Sequence, residues 1–320
     1  MQNVTLRQLR VFALVARHLN FSRAARELHL SQPAVSMQIR QLEGNAGMPL
    51  FQRVGRGVTL TEAGRRLLEC ASGIDELIQS ASESMDAMRG IKTGTLKLGA
   101  VSTAKYFAPS IVAAFSAQNP GIAVRFSVGD LPEITRQVSD GEIDLVITGL
   151  MPKGIDTLAR AFARHPYAII AAPSHPLAKR RKIALKDLEG ERILTRQRTA
   201  TTGMLMDKFF RKHAVRYRSF MESTSNETIK QSVIAGLGIS FLSLHTASLE
   251  LSTGKLVVLD VKGLPIMGDW FIVQLRDKKL SPVSEAFREF VLESGAAIVE
   301  RTTRIHGRAV ARNKTSSAGK

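Results

Sequence analysis

Apolar residues recur at helical spacing through the first part of the chain. The spacing predicts a first helix over 5–17, with Thr5 as its N-cap. A second, shorter helix is expected to begin at Ser22 and to bury Ala24 and Leu28. Together these segments are typical of a small helical domain.

A third helix is predicted after a tight turn at His29, and the second and third helices together span Phe21 to Arg40. Val35 and Ile39 face inward. The outer face and capping turn carry mostly hydroxyl, amide and guanidinium groups: Ser31, Gln32, Pro33, Ser36, Met37, Gln38 and Arg40. A helix-turn-helix needs such a face to read base edges in a major groove. An ordinary helical pair with a solvated polar face gives the same pattern, so both readings stay open here.

Two β-prone segments around Gly55 and Gly57 predict a hairpin, the wing of a winged helix. Arg53 and Arg56 would lie at its tip or base, where arginine can enter a minor groove or bind phosphate. Residues 1–60 contain eight arginines and two glutamates, a net charge of +6. This excess favours a DNA-binding domain.

A long helix is predicted from Thr61 to Gly90, and its apolar residues follow a heptad. Such a seam is typical of a helix that pairs with a second copy, although packing against its own domain is the alternative. The expected dimerisation residues are Leu60, Leu67, Ala71, Ile74, Ile78, Ala81 and Met85.

From Gly94 to Ser294, strand-like and helix-like segments alternate, which predicts largely parallel sheets in two α/β lobes with a cleft between them. The whole chain is therefore expected to be an α+β multidomain protein. We place a winged helix-turn-helix at 1–60, a coiled-coil linker helix at 61–90, lobe 1 at about 91–160 and 268–298, lobe 2 at about 161–267, and a basic disordered tail at 299–320.

Hydroxyl residues stand at the ends of the predicted strands and helices. Ser102 and Thr103 precede a helix expected to begin near Ala104, and its free N–H groups would suit a carboxylate or phosphate. Each hydroxyl could instead only cap its own helix or strand. The candidate effector-binding residues are Ser102, Thr103, Ser127, Thr148 and Thr202.

Composition narrows the class of protein. The 320 residues are 44% hydrophobic and carry a net charge of +17, which suits ordered cores and a polyanionic partner. No apolar run is long enough to span a bilayer, and a single cysteine, Cys70, excludes an internal disulfide. We therefore expect a cytoplasmic protein without membrane attachment.

Enzyme signatures are missing from the sequence. The seven histidines are scattered without metal-ligand spacing, and the glycines at Gly236 and Gly238 lack the third glycine of a dinucleotide fingerprint. We expect no enzyme activity, no metal and no cofactor. A basic architectural DNA-binding protein would explain the charge but gives no reason for two α/β lobes.

The first 66 residues resemble the LysR-type transcriptional regulators. The matching motifs are Ala24-Ala25, Ser31-Gln32-Pro33-Ala34-Val35-Ser36, Leu42-Glu43, Leu50-Phe51 and Leu60-Thr61-Glu62-Ala63-Gly64. The resemblance implies a winged helix, a coiled-coil linker and an effector domain like periplasmic binding proteins. It also implies homodimers or homotetramers that bind an interrupted inverted repeat in promoter DNA, a small-molecule effector in the cleft, and RNA polymerase as a further partner.

Within that family the chain is most similar to regulators of the Calvin-cycle (RuBisCO) operon. The segments that carry this similarity are Asn3 to Phe12, Ser102 to Pro109, Ser225 to Gln231, Ser243 to Thr246 and Lys255 to Val261.

At three positions near the cleft the resemblance leads us to expect arginine, and the chain has Asp130, Leu150 and Gly203. The loss of positive charge weighs against a phosphorylated effector. We expect a small organic anion of low charge, a carboxylate rather than a sugar bisphosphate, and carbon-fixation genes or another metabolic operon as the target.

Overall fold

The computed structural model describes residues 3–55, 57–88 and 93–303. The chain divides into two compact units, Met1–Arg89 and Gly90–Lys320. Each unit has a hydrophobic core of its own.

The first unit is a helical cluster with a hairpin and a long final helix. The strands of the hairpin pair antiparallel, with Phe51 opposite Leu60. This architecture confirms the predicted winged helix. Its elements are α1 (Leu6–His18), α2 (Phe21–Glu27), α3 (Gln32–Ala46), β1 (Phe51–Val54), β2 (Gly57–Leu60) and α4 (Glu62–Met88).

Side-chain caps fix where these helices begin. Thr5 caps α1 and Ser31 caps α3, as the sequence predicts. The expectation that Ser22 caps α2 is wrong, because the side chain of Asn20 accepts a hydrogen bond of 2.9 Å from the N–H of Arg23. Asparagine is a strong N-cap, and the earlier start makes Phe21 helical, with its ring edge-on to that of Phe51.

The second unit alternates strands and helices around a nine-stranded sheet in the described residues. The strand order is β4-β3-β5-β11-β6-β9-β7-β8, with β10 paired to β6. The elements are β3 (Gly94–Val101), α5 (Ala108–Gln118), β4 (Ile122–Gly129), α6 (Leu131–Ser139), β5 (Leu145–Thr148), β6 (Thr157–Ala171), β7 (Ile193–Arg196), α7 (Thr201–Lys212), β8 (Ser219–Ser223), α8 (Asn226–Ile234), β9 (Ile239–Ser243), α9 (Ser248–Ser252), β10 (Val257–Val258), β11 (Ile266–Leu275) and α10 (Pro282–Thr302).

Two lobes share this sheet. Lobe 1 consists of β3, β4 and β5 with α5, α6 and α10, and lobe 2 consists of β7 to β10 with α7, α8 and α9. Strands β3, β4 and β5 run parallel in lobe 1, and strands β7, β8 and β9 run parallel in lobe 2. Strands β6 and β11 pair antiparallel and run through both lobes. The predicted two-lobed α/β arrangement is confirmed.

Two predicted boundaries are wrong. The helix expected near Ala104 is only a 3₁₀ turn, Ala104–Tyr106, and α5 begins at Ala108. A helix that started at Ala104 would place Pro109 in its interior, where proline removes a hydrogen bond and clashes with the preceding turn.

The last helix is also longer than expected. Helix α10 continues through Thr302, and Ile298 and Val299 are buried in the core of lobe 1. The first residues assigned to a disordered tail are therefore helical. The rest of that tail, residues 304–320, lies outside the described residues.

Candidate DNA-binding surface and effector cleft

Helix α3 has one buried face and one open face. Val35, Ile39 and Leu42 are buried in the core of the first unit. The predicted reading residues lie on the other side, where Ser31, Gln32, Pro33, Met37 and Arg40 are exposed and Ser36 and Gln38 are half-buried. This face offers hydrogen-bond donors and acceptors of the kind that read base edges.

Two side chains on the open face of α3 are hydrogen-bonded to each other. The amide Nε2 of Gln32 donates a hydrogen bond of 2.9 Å to Oγ of Ser36, one turn further along. This bond restricts both side chains before any DNA is bound.

A half-buried carboxylate joins α3 to the wing. Oε1 of Glu43 accepts hydrogen bonds from the backbone N–H groups of Leu50, at 2.8 Å, and Phe51, at 3.2 Å. Arg53 is exposed on β1, and Arg56 lies outside the described residues. Glu43 thus stabilises the first unit itself, while the side chain of Arg53 is open to solvent.

The surroundings of α4 show that the first part of the predicted dimerisation seam is buried within its own domain. Leu67 and Ala71 are buried in the core of the winged helix, and Leu60 packs against the same core. These three residues are not available to a partner helix, because the apolar face of the domain already covers them.

The later seam residues are different. Ile74 is 36% exposed and Met85 is 55% exposed, Ala81 is exposed, and Ile78 is half-buried. Leu77, which the heptad did not single out, is 69% exposed. Among the described side chains of α4, the open apolar stripe therefore lies in the second half of the helix.

A cleft of about 370 Å³ lies between the two lobes. Lobe 1 contributes residues from the ends of β3 and β4 and the start of α6, and lobe 2 contributes residues from the ends of β7 and β8. The lining residues are Ser102, Gly129, Asp130, Glu133, Arg196, Gln197 and Thr224.

Arg196 is the cation of the cleft, and most of its hydrogen-bonding capacity is already used. Its Nε donates to the carbonyl of Ser223 at 3.2 Å and its Nη2 to the carbonyl of Thr224 at 2.7 Å, while Nη1 donates to the side chain of Asn226. Burial lowers the pKa of this guanidinium, and the nearby carboxylate of Asp130 opposes that shift only in part. The positive charge is therefore held tightly by lobe 2.

Two carboxylates line the cleft from lobe 1. Asp130 caps α6 by accepting a bond of 3.0 Å from the N–H of Glu133, and it accepts a weak bond of 3.4 Å from Nε2 of Gln197 across the cleft. Glu133 is itself paired with Arg136 at 3.0 Å on the surface of α6. The lining of the cleft therefore has no excess of positive charge.

Of the five predicted effector residues, only Ser102 lines the cleft. Thr103 is buried and its side chain caps nothing. Ser127 alternates with Phe126, which packs against the lobe 1 core, and the pleat turns the serine to the other face of β4. Neither of these two hydroxyls lines the cleft, and the sequence alone does not show how each strand end is oriented.

The remaining two hydroxyls are buried. Thr148 donates to the carbonyl of Leu150 at 2.8 Å and accepts from its N–H at 3.2 Å, so the hydroxyl closes a turn. Thr202, in the first turn of α7, has no hydrogen-bond partner for its buried hydroxyl among the described residues.

Gly203 explains part of the local geometry. A Cβ at this position would lie 2.5 Å from the carbonyl oxygen of Gln197 and 2.9 Å from that of Arg196. The missing side chain lets the turn after β7 pack directly on α7.

Sequence reasoning missed Arg196, Gln197 and Thr224. All three lie at or just after the ends of parallel strands in lobe 2. The rule that ligands bind beyond the carboxyl ends of parallel strands points to all three positions.

The described residues contain no group of three or more His, Cys, Asp or Glu side chains placed to hold a metal ion. Within the same residues, every helix is too short or too polar to cross a membrane.

Two family profiles match the chain in sequence. Residues 6–65 match the bacterial regulatory helix-turn-helix protein, lysR family, and residues 89–296 match the LysR substrate binding domain. A RuBisCO operon transcriptional regulator of Allochromatium vinosum is 44% identical over 294 residues, which cover 92% of this chain and 97% of that protein. The regulator CfxR of Cupriavidus necator is 44% identical, with 93% and 94% covered.

Solved structures agree with the fold. The CcmR regulatory domain of Synechocystis in complex with 2-PG superposes with a TM-score of 0.61 at 33% identity, covering 63% of this chain and 97% of that one. Full-length CbnR complexed with its target DNA superposes with a TM-score of 0.66 at 23% identity, covering 91% and 100%. At that identity the second likeness supports the fold alone.

These matches define a two-domain, DNA-binding regulator with an effector domain. The chain belongs to the LysR family of transcriptional regulators.

Proposed function

We propose that this regulator recognises an inverted repeat in promoter DNA through α3 and the wing. Gln32, Pro33, Ser36 and Arg40 face base edges, with Ser31, Met37 and Gln38 beside them. Arg53 and Arg56 bind the backbone or minor groove. The observation that carries this proposal is the open polar face of α3 above Val35, Ile39 and Leu42, which anchor it to the core.

The target we propose is a set of carbon-fixation genes, with the protein acting as an activator. The support is identity of 44% over nearly the full length of two regulators, one of them named for the RuBisCO operon. The alternative is another metabolic operon, which the departures at Asp130, Leu150 and Gly203 favour. The relatives' names as transcriptional regulators argue against an enzyme, and the two-lobed domain argues against a purely architectural DNA-binding protein.

The effector we propose is a small carboxylate of low charge, bound in the cleft beside Ser102 and Arg196. CcmR of Synechocystis binds 2-PG, yet here the guanidinium of Arg196 already has three acceptors. Asp130 and Glu133 line the same cleft, and a multiply charged anion would be repelled by their carboxylates. An anion with one negative charge meets less repulsion than one with two or three.

The protein is proposed to act in the cytoplasm as a homodimer or homotetramer that contacts RNA polymerase. The support for self-association is the apolar stripe of α4, in which Ile74, Ala81 and Met85 are exposed and Ile78 is half-buried. Such a stripe is buried when two helices pair.

Footprinting at the promoter divergent to the regulator's own gene tests the main proposal. The expected result is a protected inverted repeat whose protection pattern changes when the right metabolite is added. Uniform protection along random DNA would instead indicate an architectural protein.

Calorimetry tests the effector proposal, with 2-PG and a panel of singly charged carboxylates as ligands. We expect a carboxylate to bind more tightly than 2-PG, and Ser102→Ala to weaken its binding. Ser127→Ala is the matched control, since it removes an equivalent serine hydroxyl that does not line the cleft. Tight binding of 2-PG, or equal effects of the two substitutions, would contradict this assignment.

A further inference from the structure

The two lobes meet on one flank of the cleft through Tyr106 and Glu227. Tyr106 belongs to the 3₁₀ turn of lobe 1, and its hydroxyl donates a hydrogen bond of 2.6 Å to Oε1 of Glu227 in the first turn of α8. Hydrogen bonds to an ionised carboxylate are shorter and stronger than those between neutral groups. Burial, and then the bond to Glu227, raise the pKa of Tyr106, so the hydroxyl keeps its proton.

A buried lysine completes this contact. The ammonium of Lys230 lies 3.0 Å from Oε1 of Glu227 and 2.7 Å from Oε1 of Glu250, and only 4% of its side chain is exposed. The same ammonium lies 4.8 Å from the centre of the Tyr106 ring. The ammonium is thus covered on one side by the Tyr106 ring of lobe 1 and paired with the two glutamates of lobe 2.

Helix α8 also borders the cleft itself. Nδ2 of Asn226 donates a weak hydrogen bond of 3.4 Å to the carbonyl of Ser102, and Oδ1 of the same amide accepts from Arg196. The first turn of α8 therefore contacts lobe 1 at two places, beside the cleft at Ser102 and on its flank at Tyr106. The lobes cannot separate here without losing the Tyr106–Glu227 bond.

We propose that Tyr106, Glu227 and Lys230 form a latch that holds the lobes at the spacing at which both contact a ligand. Tyr106 is then a positioning residue for the effector response. When a protein exchanges between open and closed forms, its apparent affinity falls with the closed fraction. Weakening the latch should therefore open the lobes and reduce effector binding, whichever effector the protein uses and whichever promoter it binds.

The chain carries a fluorescent reporter packed against the turn that bears Tyr106. Trp270 is the single tryptophan of the sequence and is fully buried, and its ring lies 4.8 Å from that of Phe107, the residue that follows Tyr106. Its fluorescence in the full-length protein can be quenched with acrylamide, without DNA or effector. We expect Tyr106→Phe to raise the population of the open form by about tenfold or more, as the loss of a hydrogen bond to a charged group predicts, and the quenching constant to increase with it.

Tyr217→Phe is the matched control. Tyr217 also donates its hydroxyl to a carboxylate, that of Asp207, but both residues belong to lobe 2. This variant should leave the quenching constant unchanged. Thermal unfolding followed by circular dichroism checks that both variants remain folded at the temperature of the measurement.

A second variant keeps the proposal testable if Tyr106→Phe unfolds the domain. Glu227 is 48% exposed, and Glu227→Gln preserves its shape while it removes the charge. We expect Glu227→Gln to raise the quenching constant as well, and the double variant to show less than the sum of the two effects, because both remove the same contact. Unchanged quenching in Glu227→Gln, additive effects, or equal quenching in the Tyr106 and Tyr217 variants would overturn the latch.

Discussion

Nε1 of Trp270 donates a hydrogen bond of 3.0 Å to Nδ1 of His245. The Trp270 ring also stacks on His165 at 3.8 Å, and His165 bonds Oγ of Ser243 and the hydroxyl of Tyr167, each at 2.8 Å. This cluster lies where β6 and β11 pass from one lobe to the other. Both histidines are buried and neutral, and their titration has a consequence for stability.

Acid should destabilise the second unit through these histidines. Burial lowers the pKa of His245 to about 4 and that of His165 well below its usual value. An unfolded histidine takes up its proton near pH 6.5, so the unfolded state binds more protons between that pH and about 4. Stability is thus fully present above pH 6.5 and declines as the pH falls, by on the order of 3 kcal/mol for His245.

Urea unfolding at pH 7 and pH 5, followed by circular dichroism, measures this slope. His245→Asn should have a shallower dependence on pH than the wild type. His29→Asn, at an exposed position in the first unit, is the control and should keep the wild-type slope. Identical slopes in all three proteins would show that His245 is not responsible.

Two glutamines on α3 allow a matched test of DNA reading. Gln32 lies in the first turn of α3, whereas Gln41 lies about two and a half turns later, beyond the N-terminal residues with which such a helix contacts base edges. Gln32→Ala should lose about 1–3 kcal/mol of specific binding and little affinity for random DNA. Gln41→Ala should change neither. Competition binding with operator and random duplexes distinguishes them, and equal losses would refute the assignment of the reading face.

Arg53 should behave differently from Gln32. If its guanidinium contacts phosphate, Arg53→Ala weakens binding to operator and random DNA alike and lowers the salt slope by about one. Titrations over a range of salt concentrations measure this slope. A loss confined to the operator would assign Arg53 to base recognition instead.

The two halves of the α4 stripe should respond in opposite ways to a charge. Ile78→Asp places a carboxylate on the open half and should dissociate the oligomer while the winged helix stays folded. Leu67→Asp places it in the core and should cost more than about 3 kcal/mol of stability. Sedimentation velocity and thermal unfolding separate these outcomes. Unchanged sedimentation of Ile78→Asp would exclude the stripe as a dimer contact.

Replacing each of two glycines in α4 by alanine should change the stability of the first unit in opposite directions. A Cβ on Gly64 would lie 2.1 Å from the backbone oxygen of Leu50, whereas a Cβ on Gly73 meets nothing within 4 Å. Gly64→Ala must displace the wing and should destabilise the first unit. Gly73→Ala should stabilise it by about 0.5–1 kcal/mol, because alanine is the better helix former. Thermal midpoints measured in parallel would show whether the signs differ as expected.

Local signals in the sequence were sufficient for much of the first unit. Ser31 and Thr61 act through neighbours three residues away, so their capping roles can be recognised without knowing the fold. The dimerisation seam of α4 was harder to predict, because Leu67 and Ile78 follow the same heptad spacing. Leu67 packs inside its own domain, whereas Ile78 is partly open. Periodicity identifies a face of a helix but not what covers it.

The cleft required long-range information. Arg196 contacts Asn226 thirty positions later, and Gln197 reaches Asp130 from the other lobe. No spacing rule connects such pairs, since the sheet topology brings them together. The hydroxyl of Thr148, by contrast, makes a very local bond to Leu150.

The burial of Leu67 and Ala71 within the winged helix fixes the angular phase of α4 relative to the DNA-reading helix. The helix cannot turn about its own axis without breaking that core. Since it continues unbroken to Met88, the stripe beyond Ile74 keeps one rotational setting with respect to the bases that α3 faces. Each residue inserted after Gly73 would rotate that stripe by about 100° and shift it by about 1.5 Å, and seven inserted residues would bring it back to within about 20°. The length of α4 is therefore constrained in whole heptads rather than in single residues.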